Sequence, residues 1–253
     1  LKTGALQTSI PGGVSNITAL AYSADSRFLA IGDAALKVRV IELATSKEQS
    51  FAHPDVVSSL FFSPTGTQLA VGGQSGNGVL YASFDGKSAH EFSARTLIPT
   101  ADGKSLLAST RKGALQLIDA KTYKIAKEST GTTQTLRLVS SARQEVIAGF
   151  NGDGPDVWLF DATLKSLPVL KGKTNPDRLE APEAPRVTSI ALTPDGTRLL
   201  VARSNQTVAL YEVKGLTLLK TWPLVGTAFL AVSADGHSFA AGDGADVKLW
   251  PLP

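Results

Sequence analysis

The chain has 253 residues, of which 43% are hydrophobic and 19% charged, the balance of an ordinary folded protein and not of a disordered one. Its 25 Lys and Arg against 22 Asp and Glu leave a net charge of +3 with no basic run longer than Arg111-Lys112, so no nucleic-acid footprint is expected. No stretch approaches the roughly 18 to 20 continuous apolar residues of a membrane span, and the absence of Cys excludes disulfides, thiol catalysis and cysteine metal sites.

A soluble chain is therefore expected, with cytoplasmic and exported compartments both open. The start at Leu1, without Met, is the pattern of a processed chain or of a domain taken from a longer one. Residues 4–10, Gly4 to Ile10, read as a strand with no unit of its own. Six units follow, near residues 14–52, 54–92, 93–130, 133–171, 186–223 and 226–250. In each, Ser or Thr opens a tight turn between two apolar runs, at Ser23, Ser63, Thr100, Ser140, Thr193 and Ser233. A recurrence near forty residues, with four short strand-like segments inside each unit, predicts an all-β, six-bladed β-propeller of four-stranded antiparallel blades in one domain.

The unit from Val187 to Trp222 shows the pattern best. An alternating strand reaches Thr193-Pro194-Asp195-Gly196, where hydroxyl and carboxylate can accept turn N–H groups and Gly supplies the positive φ. A second strand covers Arg198 to Ala202, a third Thr207 to Glu212, and a more polar fourth lies near Leu218 to Trp222. Aligned second strands give a column of small residues, Gly32, Gly72, Ser109, Gly149, Ala202 and Gly242, expected where neighbouring blades approach closely. Aligned third strands give Val38, Val79, Leu115, Val157, Val208 and Val247, then Ile41, Ala82, Ile118, Phe160, Tyr211 and Trp250. The fourth unit is degenerate: Ser140-Ser141-Ala142-Arg143 lacks both Asp and Gly, and its register is ambiguous by one residue.

The third-strand endings Thr207-Val-Ala-Leu-Tyr-Glu212 and Asp156-Val-Trp-Leu-Phe-Asp161 resemble the ends of WD-repeat blades. No unit carries the Gly-His dipeptide of that family ahead of its first strand, and Asn205 stands where an acid is usual, so a divergent WD-repeat-like propeller is the expectation. The resemblance also implies ring closure, in which residues 4–10 become the outer strand of the last blade.

The loops after the second strands are expected to ring the channel mouth. Candidate partner-binding residues there are Asp33, Thr110, Arg111, Phe150, Asn151, Asp153, Arg203 and Asp243. The turn Phe150 to Asp156 and the insertion 171–186 depart most from the repeat, and such additions often supply specificity. Asn151, Asp153 and Asp156 lack the spacing of a calcium loop because Pro155 interrupts it. His53, His90 and His237 do not align between units, so no metal, cofactor or catalytic residue is expected. Trp158 stands where other third strands carry smaller or charged residues and is expected to pack on the next blade. The function expected is a non-catalytic protein-interaction scaffold, docking a protein partner or neighbouring domains of a longer chain. The alternative is a propeller hydrolase, lactonase or dehydrogenase in which Asp33 and Asp243 hold a cation.

Overall fold

The computed structural model describes residues 15–129, 136–141, 145–172, 184–224, 229–233, 235–243 and 246–253. Their strands form six antiparallel sheets, each in simple sequential order. Sheet 1 comprises Ile17–Tyr22, Phe28–Asp33, Lys37–Glu42 and Lys47–Ala52, and sheet 2 comprises Val57–Phe62, Leu69–Gly73, Asn77–Tyr81 and Ser88–Ser93. Sheet 3 runs Thr96–Pro99, Ser105–Ser109, Leu115–Asp119 and Ile125–Ser129. Sheet 4 has Arg137–Ser140, Val146–Phe150 and Trp158–Asp161; sheet 5 has Val187–Leu192, Arg198–Arg203, Thr207–Glu212 and Thr217–Pro223. Sheet 6 has Leu230–Val232, Ser238–Asp243 and Asp246–Pro251. The fold is an all-β, six-bladed propeller with blades of three or four strands. Among the described residues no helix is long and apolar enough to cross a membrane. The expected closing strand, residues 4–10, lies outside the described residues.

The chain divides into two compact units, Leu1–Pro99 and Thr100–Pro253. Within each, the second strands explain the packing. Their near-continuous apolar sequence is required because both faces of the strand are covered, so side chains alternating across the sheet all meet protein. In blade 5, Leu199 and Val201 join Phe150, Val157 and Leu159 of blade 4, whereas Leu200 and Ala202 join Phe239 and Ala241 of blade 6. In the first unit, Ala30, Val38 and Val40 of blade 1 pack with Val57, Leu60, Val71 and Tyr81 of blade 2. Fourth strands such as Lys47–Ala52 are largely exposed, matching their polar sequence.

The first turns of blades 1, 5 and 6 are built as the sequence predicts. The hydroxyl of Ser23, Thr193 or Ser233 donates to the carboxylate two residues on, at 2.6, 2.6 and 2.5 Å. It also accepts the N–H five residues on, at 2.9, 3.1 and 3.0 Å. The carboxylate accepts a second N–H, from Arg27, Thr197 or His237. These bonds, led by the hydroxyl in each case, hold Asp25, Asp195 and Asp235 below the usual carboxylate range. Three residues after the hydroxyl the chain takes positive φ, at Gly66, Gly103, Gly196 and Gly236; in blade 1 Ser26 does so with φ 59°.

Two registers differ from the sequence alignment. In blade 4 Ser141, not Ser140, is the turn hydroxyl: its N–H donates to Val146 O and its Oγ accepts Val146 N–H at 3.2 Å, the five-residue offset of every other blade. The position equivalent to Gly32 is then Phe150, not Gly149. In blade 2 Leu69 pairs with Tyr81, as Leu29 pairs with Ile41 in blade 1. Tyr81 therefore takes the large buried position given to Ala82, which is exposed, and Gly78 takes that given to Val79. The turn Gly73–Asn77 has the same length as Asp33–Lys37, and this common length fixes the shift.

The small column is real where blades meet. A Cβ on Gly32 would overlap the Val57 side chain of the next blade, and one on Gly72 would overlap the backbone carbonyl of Arg95. Blade 4 has no continuous fourth strand among the described residues. Leu170 exchanges two backbone bonds with Val157, at 2.9 and 3.0 Å, and Leu167 N–H donates to Leu159 O at 2.8 Å. Pro168 between them has no N–H and interrupts the ladder.

Candidate functional site

The turns after the second strands hold the residues expected to meet a partner, and most of their polar groups are used within the turn. Asp33, 5% exposed, accepts the N–H groups of Ala35 and Lys37, both at 2.9 Å. Thr110 Oγ1 accepts Ala114 N–H at 3.1 Å. Asn151 Oδ1 accepts the N–H groups of Asp153 and Gly154 at 3.1 and 2.9 Å. Asx-type bonding of this kind closes a turn in place of a further residue. Arg111 and Asp153 are exposed. The Asp243 backbone pairs with Asp246, and its side chain lies outside the described residues.

Phe150 departs from the expectation of a channel-mouth contact. It is 6% exposed and belongs to the core between blades 4 and 5, because the one-residue register shift turns it into the sheet interface. Asn151 is the residue that takes the loop position. Trp158 is half-buried in the third strand of blade 4, opposite Gly149.

The structure brings Asn151, Asp153 and Arg203 to one locality through the segments that flank the insertion. Asp156 accepts Lys171 Nζ at 2.7 Å and Gly172 N–H at 3.0 Å, fastening the chain where the insertion begins. On the other side, Arg203 Nη1 donates to Pro155 O at 2.7 Å and Pro185 O at 3.2 Å, and Ser204 Oγ accepts Arg186 N–H at 3.0 Å. Gly154 O accepts Val187 N–H at 2.9 Å. The long blade 4 turn is thus the platform to which both ends of the insertion are tied. Residues 173–183 lie outside the described residues.

A second polar network stands ahead of blade 2. His53, 2% exposed, lies 3.0 Å from Tyr81 Oη through Nδ1 and 3.1 Å from Asn77 O through Nε2. A carbonyl only accepts, so Nε2 carries the proton and Nδ1 accepts from the Tyr81 hydroxyl. Burial pushes His53 down to about 4 and Tyr81 up to about 12. Asp55 completes the arrangement, accepting Val56 N–H at 2.8 Å and Ser75 N–H at 2.7 Å.

The model for the WD domain, G-beta repeat, matches residues 45–81, from the fourth strand of blade 1 through the third strand of blade 2. The β-propeller domain of Myceliophteria thermophila Cps50 (Swd1) superposes with a TM-score of 0.80 at 16% identity, over 100% of this chain and 88% of that one. No curated protein matches the sequence. The chain is a β-propeller in which one segment matches the WD repeat.

The matched segment is the one containing His53, Asp55 and Tyr81. Ala52-His53 stands where the family's Gly-His dipeptide was sought. The sequence search missed it because the dipeptide is altered and because Tyr81 was placed one position out of register. A His four residues ahead of a first strand, with Tyr at the end of the third, was the available signal. Among the described residues no group of three or more His, Asp or Glu is arranged to hold a metal ion. Asp33 spends its carboxylate on its own turn.

Proposed function

We propose that this propeller is a non-catalytic interaction module that docks a partner protein, or a neighbouring domain of a longer chain, through the loop surface of blades 4 and 5. WD-repeat propellers typically serve as interaction scaffolds. The observation that carries the reading is the pair of ties made by Asp156 and Arg203, which fasten the chain on both sides of residues 173–183. Fastening reduces the ordering cost on binding and so favours recognition. The capping of Asp33, Thr110 and Asn151 within their own turns supports a role without acid–base or metal chemistry.

The same reading includes one closed domain. Asp246–Pro251 of blade 6 pairs on one edge only among the described residues, and residues 4–10 are proposed to supply its fourth strand, which removes an open edge.

Replacing residues 173–183 by a Gly/Ser linker of equal length tests the docking surface. On the docking reading the melting temperature is expected to stay within about 2 °C. A partner identified with the unmodified protein, then purified and titrated, is expected to bind at least about tenfold more weakly to the variant. Unchanged binding would overturn the assignment of this surface.

A further inference from the structure

Arg203 is an unusual cation. It is 9% exposed, yet among the described residues no carboxylate pairs with it; both of its hydrogen bonds go from Nη1 to backbone carbonyls. Nε and Nη2 make no bond among the described residues, and neither is completely buried. A guanidinium largely withdrawn from water retains a full positive charge, and a facing anion recovers the solvation it has lost.

That facing space exists. Arg203 lines a cavity of about 330 Å³ with Asn205, Tyr211, Leu170, Leu216 and Leu218. This lies at the lower end of the range of small-ligand pockets, about 300–1,000 Å³. Asn205 Oδ1 accepts from Thr207 Oγ1 at 2.7 Å, which orients its amide; among the described residues its Nδ2 donor has no partner. Lys171 also lines the cavity but is already paired with Asp156, so its charge is neutralised locally. The polar side of the cavity is therefore cationic and donor-rich at Arg203 and Asn205. The opposite character comes from three leucines, among them Leu218, 54% exposed.

We propose that this cavity is a recognition pocket for a carboxylate carrying a branched apolar flank, supplied by the partner as a C-terminal residue or as an acidic side chain beside an apolar one. Arg203 and Asn205 receive the carboxylate, and Leu170, Leu216 and Leu218 receive the flank. The proposal deepens the docking reading by naming the chemistry at the base of the fastened insertion.

The test uses small probes, so it does not depend on knowing the partner. Isovalerate is titrated into isotope-labelled protein and followed by NMR, with isovaleramide as the uncharged isostere. Saturable shifts at Arg203, Asn205 and Tyr211 are expected with a Kd on the order of millimolar, and none with the amide. Arg203→Gln is expected to weaken binding at least about tenfold. Because that change also removes two loop bonds, Leu218→Glu serves as a second variant: it sets a rival carboxylate at the exposed rim and is expected to weaken isovalerate equally without touching Arg203. Peptides Ala-Leu-Gln-Leu with a free C-terminus, its amide, and Ala-Leu-Glu-Leu amide separate the two carboxylate sources. An equal response to acid and amide, or full binding in both variants, overturns the pocket. Binding only after residues 173–183 are replaced by Gly/Ser shows that the chain fills its own pocket and overturns the role of a partner. Loss of partner docking with isovalerate binding intact would sink the docking surface alone.

Discussion

Blades 2 and 4 are built from the same repeat and have diverged in opposite directions. Blade 2 keeps four strands, a small residue at Gly72 and a buried His53–Tyr81 pair. Blade 4 has three strands among the described residues, places Phe150 in the small column, lengthens its turn and carries the insertion. The difference separates two uses of a propeller blade. In blade 2 the buried His53, Tyr81 and Asp55 are bonded within the blade and its leading segment, whereas in blade 4 the carbonyls of Gly154 and Pro155 in the lengthened turn tie down the segments that flank residues 173–183.

The comparison can be broken first at Phe150. Although it lies in the most divergent blade, Phe150→Ala should cost about 3–5 kcal/mol in urea unfolding, because it empties the core between blades 4 and 5. A loss under about 1 kcal/mol would return Phe150 to the surface. The next effect belongs to blade 2 and to pH. His53 is held neutral in the folded protein, at about 4 against an ordinary value near 6.5, so its contribution is complete above about pH 6.5 and fades as pH falls toward 4. That loss is on the order of 3 kcal/mol, and His53→Leu should remove this segment of the stability–pH curve. An unchanged curve in the variant would place the pH dependence elsewhere.

Glycine positions sharpen the contrast further. Gly72→Ala drives a Cβ into the backbone carbonyl of Arg95 and should cost about 2–3 kcal/mol. Gly152→Ala, with φ 84° and nothing within 4 Å of the added atom, should cost only about 1 kcal/mol. Reversal of that order, read from denaturation midpoints, would contradict the close approach of blade 2 to its neighbouring segment. The smallest effect is a gain. Leu36, 41% exposed, holds φ 64° where Gly76 and Gly113 stand in blades 2 and 3. Leu36→Gly is expected to stabilise by about 0.5–1 kcal/mol, measured in the same assay, since the left-handed strain exceeds the extra backbone entropy.

The candidate site was legible only in part. The sequence singled out Arg203 by its place just after the second strand, and the Phe150 to Asp156 turn and the insertion because they break the repeat. It did not show that Asp33, Thr110 and Asn151 cap their own turns, since a polar residue in a loop reads the same whether its partner is a ligand or a backbone N–H. Phe150 was misplaced because Ser140 and Ser141 are chemically identical, and period alone cannot choose between adjacent serines. Tyr81 was missed for the same reason, one register away at Ala82.

What the residues decided alone was the repeat: turn hydroxyls, carboxylates and glycines recur near every fortieth position because each hairpin needs the same local bonds and the same positive φ. Those interactions reach no farther than five residues, so they are written in the chain. Tertiary structure alone decided which serine begins blade 4, which aromatic side chains turn inward, and that Arg203 spans to Pro155 and Pro185. Each of these depends on groups brought together from distant segments, where packing of one sheet on the next chooses among alternatives that are locally equal.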